Sequence, residues 1–249
     1  ALSASLATMV ANLSSHKPGW DDQWEFFSDW AVKGQALKDE LLHLVDEDTN
    51  AFNMIMNAFG LPKKTDEEKA ARTAAIQEAT KYATQVPFRT MQKAFDCFEV
   101  CRAMVEKGNP NSVTDAGVGA LCARSAVIGA GMNVKINAAS LTDEAFKADI
   151  LAKAAAIEAK AIAEEAEVVE RLIHAFNNCE KLQRHVRFLF TKGSLYKVYN
   201  GNLMFHGCIP TNEDGSFMEV EIFGKKYPKF KVIVNDLLMY IYNLRPVFL

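Results

Sequence analysis

The sequence lacks several features that mark common functional classes. It has no basic excess, because 28 Lys and Arg stand against 31 Asp and Glu and give a formal net charge of -3. Nucleic-acid binding needs basic side chains to neutralise phosphates, so the composition argues against it. No run approaches the roughly 18 uninterrupted apolar residues of a membrane span, and the sequence begins without the basic segment of a signal peptide. We therefore expect no nucleic-acid partner and no membrane.

Metal-binding and nucleotide-binding motifs are missing too. The five cysteines are an odd number, and no CxxC occurs. Cys97 and Cys101 stand four residues apart, which is compatible with a metal or disulfide pair but is more typical of buried, reduced thiols in a cytoplasmic protein. His16 and His43 have no Cys or carboxylate at ligand spacing, so we expect no metal site. No GxGxxG, Walker A or nucleophile elbow appears.

The amino-acid composition of the chain changes near residue 170. Residues 1–170 are rich in Ala and Glu, whereas aromatic residues, β-branched residues and turn dipeptides follow from about residue 194. We predict a mainly α fold, a helical bundle followed by a short strand-and-turn segment, with domains at 1–170 and 171–249. The acidic run at 164–167 is interpreted as a solvated helix face.

Helix boundaries are marked by local signals. Apolar residues recur at intervals of three and four over 21–59, and Gly60 ends that pattern. Thr65 and Glu68 form a capping box that opens the next helix. Pro87 has no amide hydrogen and is expected to kink or break this helix, so that a separate helix starts near residue 88.

Two further threonines are predicted to cap helices. Thr114 precedes an apolar run that ends near residue 139, and Thr142 precedes one that continues to about residue 170.

Asp48 is the main candidate for a catalytic residue. It lies on the apolar stripe of its helix, and burial of a lone carboxyl group raises its pKa toward neutrality, which suits proton transfer. The alternative is a structural aspartate that is paired with an arginine such as Arg89 or Arg124. The stripe contains Leu41, Val45, Phe52 and Ile55.

A second pattern lies in 115–137. Its glycines, each costing about 1 kcal/mol relative to Ala inside a helix, indicate close approach of a neighbouring helix or of a flat ligand. Asn133 and Asn137 share a helix face with Cys122, Ala126 and Gly129. Their amides are suited to a heterocycle with mixed donors and acceptors, or equally to hydrogen bonds between helices at a dimer interface.

Four motifs follow one another in the helical part of the chain. They are LVDEDTNAF (44–52), GLPKKTDEEKAAR (60–72), SVTDAGVGALCARSAVIGAGMNVKIN (112–137) and LTDEAF (141–146). Together they resemble the cyclodeaminase domain of the formiminotransferase-cyclodeaminase family over residues 1–168. In that family an additional helix and a PGGGS-type segment precede these motifs, so the resemblance implies a domain truncated at its N-terminus.

This resemblance implies an all-α homodimer that works in the cytoplasm, in histidine breakdown and one-carbon metabolism. The implied reaction closes 5-formimidoyltetrahydrofolate to 5,10-methenyltetrahydrofolate and releases ammonia, without a metal. The second acid of the family's VDxD motif falls on Asp48 and implies its catalytic role. We place the pterin against Asn133 and Asn137 and the glutamate tail of folate near Lys17. Methenyltetrahydrofolate cyclohydrolase activity, or an inactive helical dimer module, are the alternatives.

The later part of the chain resembles another family. Residues 171–227 are similar to an internal stretch of the bacterial class III fructose-1,6-bisphosphatases, and LMFHGCIP has the form of a metallophosphatase strand that ends in a metal ligand, here His206. The DxH, GDxxD and GNH motifs are missing, and one ligand does not hold a catalytic metal pair. We therefore expect an incomplete fragment without phosphatase activity.

Overall fold

A computed structural model describes residues 1–178, 180–192, 196–205, 212–214, 216, 218–222 and 225–227. The chain divides into two compact units, Ala1–Ala175 and Phe176–Leu249. The predicted fold class is confirmed, because a helical bundle is followed by short strands and turns.

The first unit is built from long helices. A 3-10 turn at Asp21–Gln23 precedes the second of them, and the fifth ends just past the boundary between the units. The helices are α1 (Leu2–Ser15), α2 (Trp24–Phe59), α3 (Asp66–Lys107), α4 (Val113–Ala139) and α5 (Glu144–Asn177).

The second unit contains one helix and two hairpins in its described part. Helix α6 (Glu180–Lys192) precedes the antiparallel pair β1 (Tyr196–Tyr199) and β2 (Asn202–Phe205), whose turn places Asn200 and Gly201 at positive φ. The antiparallel pair β3 (Val220–Ile222) and β4 (Lys225–Tyr227) follows. His206, the residue at the end of the predicted metallophosphatase strand, lies outside the described residues.

In the core of the first unit, α4 packs against α1 and α3. Its inward face consists of small residues that allow close approach, and at Gly119 an added Cβ would lie 3.1 Å from Sγ of Cys101 and 3.3 Å from the carbonyl oxygen of Ser3. Gly117 and Gly131 likewise face α5, where the nearest side chains are Leu172 and Glu158. Close helix packing therefore accounts for these three glycines.

Helix α3 corrects the prediction for Pro87. The helix runs without interruption from Asp66 to Lys107 and carries Pro87 inside it. A proline in this position leaves the carbonyl oxygen of Ala83 without its helical donor. Nδ2 of Asn137, on α4, donates to that oxygen at 2.7 Å. A hydrogen bond from another helix thus replaces the missing one, and the predicted break does not occur.

The observed helix caps agree only in part with those predicted from the sequence. The capping box of Thr65 and Glu68 is confirmed. Helix α4 starts one residue before Thr114, and its N-cap residue is Ser112. Helix α5 is capped by Asp143, whose Oδ1 accepts a hydrogen bond from the amide of Phe146 at 3.1 Å. The Thr142 hydroxyl instead donates to Gln77, so the predicted caps at Thr114 and Thr142 are wrong.

The acidic run on α5 is not a freely solvated face. Glu164 pairs with Arg102 of α3, and Glu165 pairs with Arg124 of α4 at 3.3 Å. Both glutamates are half-buried, whereas Glu167 is exposed. The interpretation as a solvated face is wrong for Glu164 and Glu165, because arginines on neighbouring helices compensate for their desolvation.

Among the described residues, α4 is the helix that is long and apolar enough to cross a membrane by length and composition. The core helix of a soluble helical bundle passes the same test, because its buried face is apolar. The buried side chains on α4, Ala116, Ala120, Ala123, Val127 and Val134, account for much of its apolar character.

Candidate active site

A groove of about 290 Å³ opens on the first unit where α2, α3 and α4 meet. Asp48 and Thr49 lie on α2, Pro87 and Thr90 on α3, and Asn133 on α4. The rest of the lining is apolar and comes from Leu41, Leu44, Val45 and Ala130. The space exists because α3 and α4 present small side chains to this part of α2, so the helices do not fill it.

Asp48 is exposed in the single chain, and the prediction that it is buried is wrong there. Only part of the apolar stripe on α2 packs against other helices of the chain. Leu41 is buried, but Val45 and Phe52 are 62% and 60% exposed. The residues that α2 buries around Asp48 are Leu44 and Ala51. Asp48 therefore lies at the edge of the packed face, in contact with the groove and not with the core.

The two arginines considered as partners of Asp48 pair with other residues. Arg89 pairs with Glu47, the residue before Asp48, and Arg124 pairs with Glu165. Nε2 of His43 lies 3.2 Å from Glu47, so this histidine does have a carboxylate nearby, contrary to our sequence analysis. No described residue donates a hydrogen bond to the Asp48 carboxylate. A carboxylate placed in this way is available to exchange a proton with a bound molecule.

The other predicted site residues are only partly brought together. Asn133 lines the groove with Asp48. Asn137 is one turn further along α4, and its amide is bound to the carbonyl of Ala83, so its structural role between helices is the one observed. Nζ of Lys17 lies 3.6 Å from the ring centroid of Trp20.

Lys17 is remote from the groove within one chain. The Lys17 ammonium group lies over the ring of Trp20, and this ring stacks on Phe27 near the start of α2. From Phe27 to Asp48 the helix advances by about 30 Å, at 1.5 Å for each residue. Lys17 and Asp48 of the same chain are therefore far apart, and a contact between Lys17 and the glutamate tail of folate stays a prediction.

Sequence reasoning missed the contribution of α3. Pro87 and Thr90 line the groove opposite Asp48, and the Thr90 hydroxyl donates to the carbonyl of Val86 at 3.1 Å. The sequence pattern marks neither position, because Pro87 is expected to end one helix and Thr90 falls in the first turn of the next. Thr49, beside Asp48, was also overlooked, although its position next to a candidate acid was a usable signal.

No group of three or more His, Cys, Asp or Glu residues that would hold a metal ion occurs within the described ranges. The absence of a metal from the reaction remains a prediction.

The fold and the groove define a helical domain with an unpaired acid in a cleft between three helices. Residues 1–156 match the formiminotransferase-cyclodeaminase family, and the chain belongs to that family. Residues 132–238 also match the Firmicute fructose-1,6-bisphosphatase family. Both resemblances found in the sequence are confirmed, and the matches overlap in α4 and α5.

One relative of the helical part is a methenyltetrahydrofolate cyclohydrolase from Methylorubrum extorquens. It is 40% identical over 146 residues, which are 59% of this chain and 70% of the relative. A solved structure, the formiminotetrahydrofolate cyclodeaminase of Thermotoga maritima, has a TM-score of 0.56 at 23% identity and covers 74% of this chain and 83% of its own. This second likeness shows the fold alone, and the relatives of this part are folate-processing enzymes.

The second family is represented by a short piece. The class 3 fructose-1,6-bisphosphatase of Clostridium acetobutylicum is 58% identical over 78 residues, which are 31% of this chain and 12% of that enzyme. The enzyme from Listeria monocytogenes is 54% identical over 63 residues, or 10% of its length. The chain therefore spans about a tenth of these relatives.

Proposed function

We propose that the groove binds a tetrahydrofolate with a one-carbon bridge between N5 and N10, and that Asp48 transfers protons during the opening or closing of this bridge. The observation that carries the proposal is the position of Asp48: it is a carboxylate without a described hydrogen-bond donor in a cleft of a chain from a folate-enzyme family. Asn133 lies across the groove and offers an amide to the pterin.

The chemistry needs one group that acts first as a base and then as an acid. When water adds to the methenyl carbon, Asp48 accepts one of its protons as the new C–O bond forms. When the bond from that carbon to one folate nitrogen breaks, Asp48 gives this proton to the departing nitrogen. The second water proton is released as the C=O bond forms, and a formyl group remains on the other nitrogen. Positioned acid–base groups contribute about 10²–10⁴ in rate.

Two reactions fit this scheme. The sequence identity of 40% over 146 residues to a methenyltetrahydrofolate cyclohydrolase supports hydrolysis of the methenyl bridge as the reaction of this chain. The cyclodeaminase reaction, which the sequence alone favoured, is now the second candidate. It is kept because the matched family carries that activity in its name. In that reaction the same carboxyl group would protonate the departing ammonia.

The full chain tests both reactions. Added to 5,10-methenyltetrahydrofolate, it should accelerate the loss of methenyl absorbance above the rate in buffer, and Asp48→Asn should lower kcat at least a hundredfold. Added to 5-formimidoyltetrahydrofolate, a cyclodeaminase would instead produce methenyl absorbance and ammonia. The sign of the absorbance change therefore separates the two candidates.

The matched control is Asp46→Asn. Asp46 is an exposed carboxylate on the same helix that does not line the groove, so its replacement should leave kcat unchanged. Equal kcat for Asp48→Asn and the wild-type chain with both substrates would disprove the catalytic assignment, provided that circular dichroism shows the same helix content.

We further propose that the enzyme is a homodimer. Helix α4 is apolar on two sides: one packs in the core, and the other is exposed, with Ile136 71% accessible. A second apolar face on a helix indicates a further packing partner. A second copy over this face would shield the groove from water, which the single chain does not do for Asp48. The exposed face consists of Val118, Leu121, Met132 and Ile136.

A further inference from the structure

A second cavity, of about 410 Å³, adjoins the Asp48 groove in the first unit. The two cavities share Leu41 of α2. On α3 the lining passes from Thr90 to Ala94, and on α4 it passes from Ala130 to Ala126. Each step is one helical turn of four residues, or about 6 Å. The same three helices therefore line both compartments, and Ala1, Leu2 and Ser3 complete the lining of the second.

The compartments differ in chemistry. The Asp48 groove has a carboxylate, two hydroxyl groups and the amide of Asn133. The second cavity is mainly apolar, with Leu121, Ala123 and Ala126 in its lining. Its polar groups include the thiols of Cys97 and Cys122 and the hydroxyl groups of Ser3 and Ser125. A heterocycle with several donors and acceptors suits the first compartment, and a hydrocarbon ring suits the second.

We infer that the second cavity binds the aminobenzoyl ring of the folate substrate, an inference that rests on the proposed function. In a bridged tetrahydrofolate this ring is bonded directly to N10, one of the two nitrogens that hold the reacting carbon. When Asp48 is at the bridge, the pterin extends to one side and the aminobenzoyl ring to the other. Leu41, which lines both compartments, lies about 10 Å along α2 from Asp48. The ring then lies between Ala94 and Ala126.

Ala126 is then a specificity-determining residue. It is exposed at the mouth of the cavity, so a larger side chain fits there without disturbing the core. Ala126→Leu would occupy the space of the ring while leaving Asp48 and Asn133 unchanged. Because the ring contributes mainly to binding, the variant should raise KM for methenyltetrahydrofolate about tenfold, equivalent to 1.4 kcal/mol, and change kcat less than twofold.

Cys122 provides a second measurement in the wild-type chain. It lines the cavity and is half-buried, whereas Cys97 and Cys101 are fully buried. Alkylation with iodoacetamide, followed by mass spectrometry of the Cys122 peptide, reports access to the cavity. Saturating 5-formyltetrahydrofolate, a stable folate, should slow this alkylation at least fivefold.

The matched control is Ala139→Leu, the same exchange at an exposed position of α4 that lines neither cavity, and it should leave KM unchanged. If Asp48-dependent turnover is present but Ala126→Leu has the wild-type KM and Cys122 is not protected, the ring binds elsewhere and this inference is overturned while the proposed function stands. If neither folate turnover nor folate binding is detected, both are overturned.

Discussion

Replacement of Asn137 by alanine should destabilise the helical unit because of the proline in the facing helix. Pro87 gives α3 no amide hydrogen for the carbonyl of Ala83, and the Asn137 amide donates to that carbonyl at 2.7 Å. Ala83 is 6% exposed, so water does not readily replace that donor. A buried acceptor that loses its partner costs about 1–3 kcal/mol.

The dependence on Pro87 distinguishes this explanation from a general loss of packing. In a Pro87→Ala background the helix regains an amide hydrogen at residue 87, which donates to the carbonyl of Ala83. Asn137→Ala should then cost much less, and the double-mutant cycle should give a coupling energy of about 1 kcal/mol or more. Urea unfolding followed by circular dichroism measures all four free energies. Equal costs of Asn137→Ala in both backgrounds would refute the reasoning.

Two further predictions concern stability in acid and assembly. The hydrogen bond from Lys81 lowers the pKa of Asp143 below its usual 3.8, so the pair stabilises the fold at neutral pH and loses this effect as the pH falls below that value. Urea midpoints of the wild-type chain and Asp143→Asn should therefore differ at pH 7 and converge as the pH falls below 3.8. Ile136→Asp should convert the proposed dimer to a monomer in sedimentation velocity, whereas Ile162→Asp, at an exposed isoleucine of α5, should not.

Much of the fold could be predicted from local signals. The end of α2 at Phe59 and the start of α3 after Thr65 depend on residues next to each other in sequence, and both are observed. The prediction of a break at Pro87 was wrong because the Asn137 amide replaces the missing hydrogen-bond donor, and this amide comes from a helix some 50 residues later. No pattern within α3 contains that information.

The candidate site was predictable to a smaller extent. The spacing on α2 and α4 selected Asp48 and Asn133, and the structure places both in one groove. The burial of Asp48 was inferred from apolar neighbours, but periodicity does not tell which apolar residues pack within the chain and which stay exposed. Asn137 shows a similar limit, since an amide that donates to a backbone carbonyl, as this one does, has the same sequence spacing as one that faces a ligand.

The ion pairs of Glu164 and Glu165 have a practical consequence for dissecting this fused protein. Both acids lie after residue 156, where the formiminotransferase-cyclodeaminase match ends, yet their arginine partners belong to α3 and α4. Val168, further along α5, is fully buried in the same core. A version that ends where the family match ends would leave Arg102 and Arg124 without their glutamate partners and would remove the buried Val168 side chain from the core. A truncated version should therefore retain α5 through residue 175.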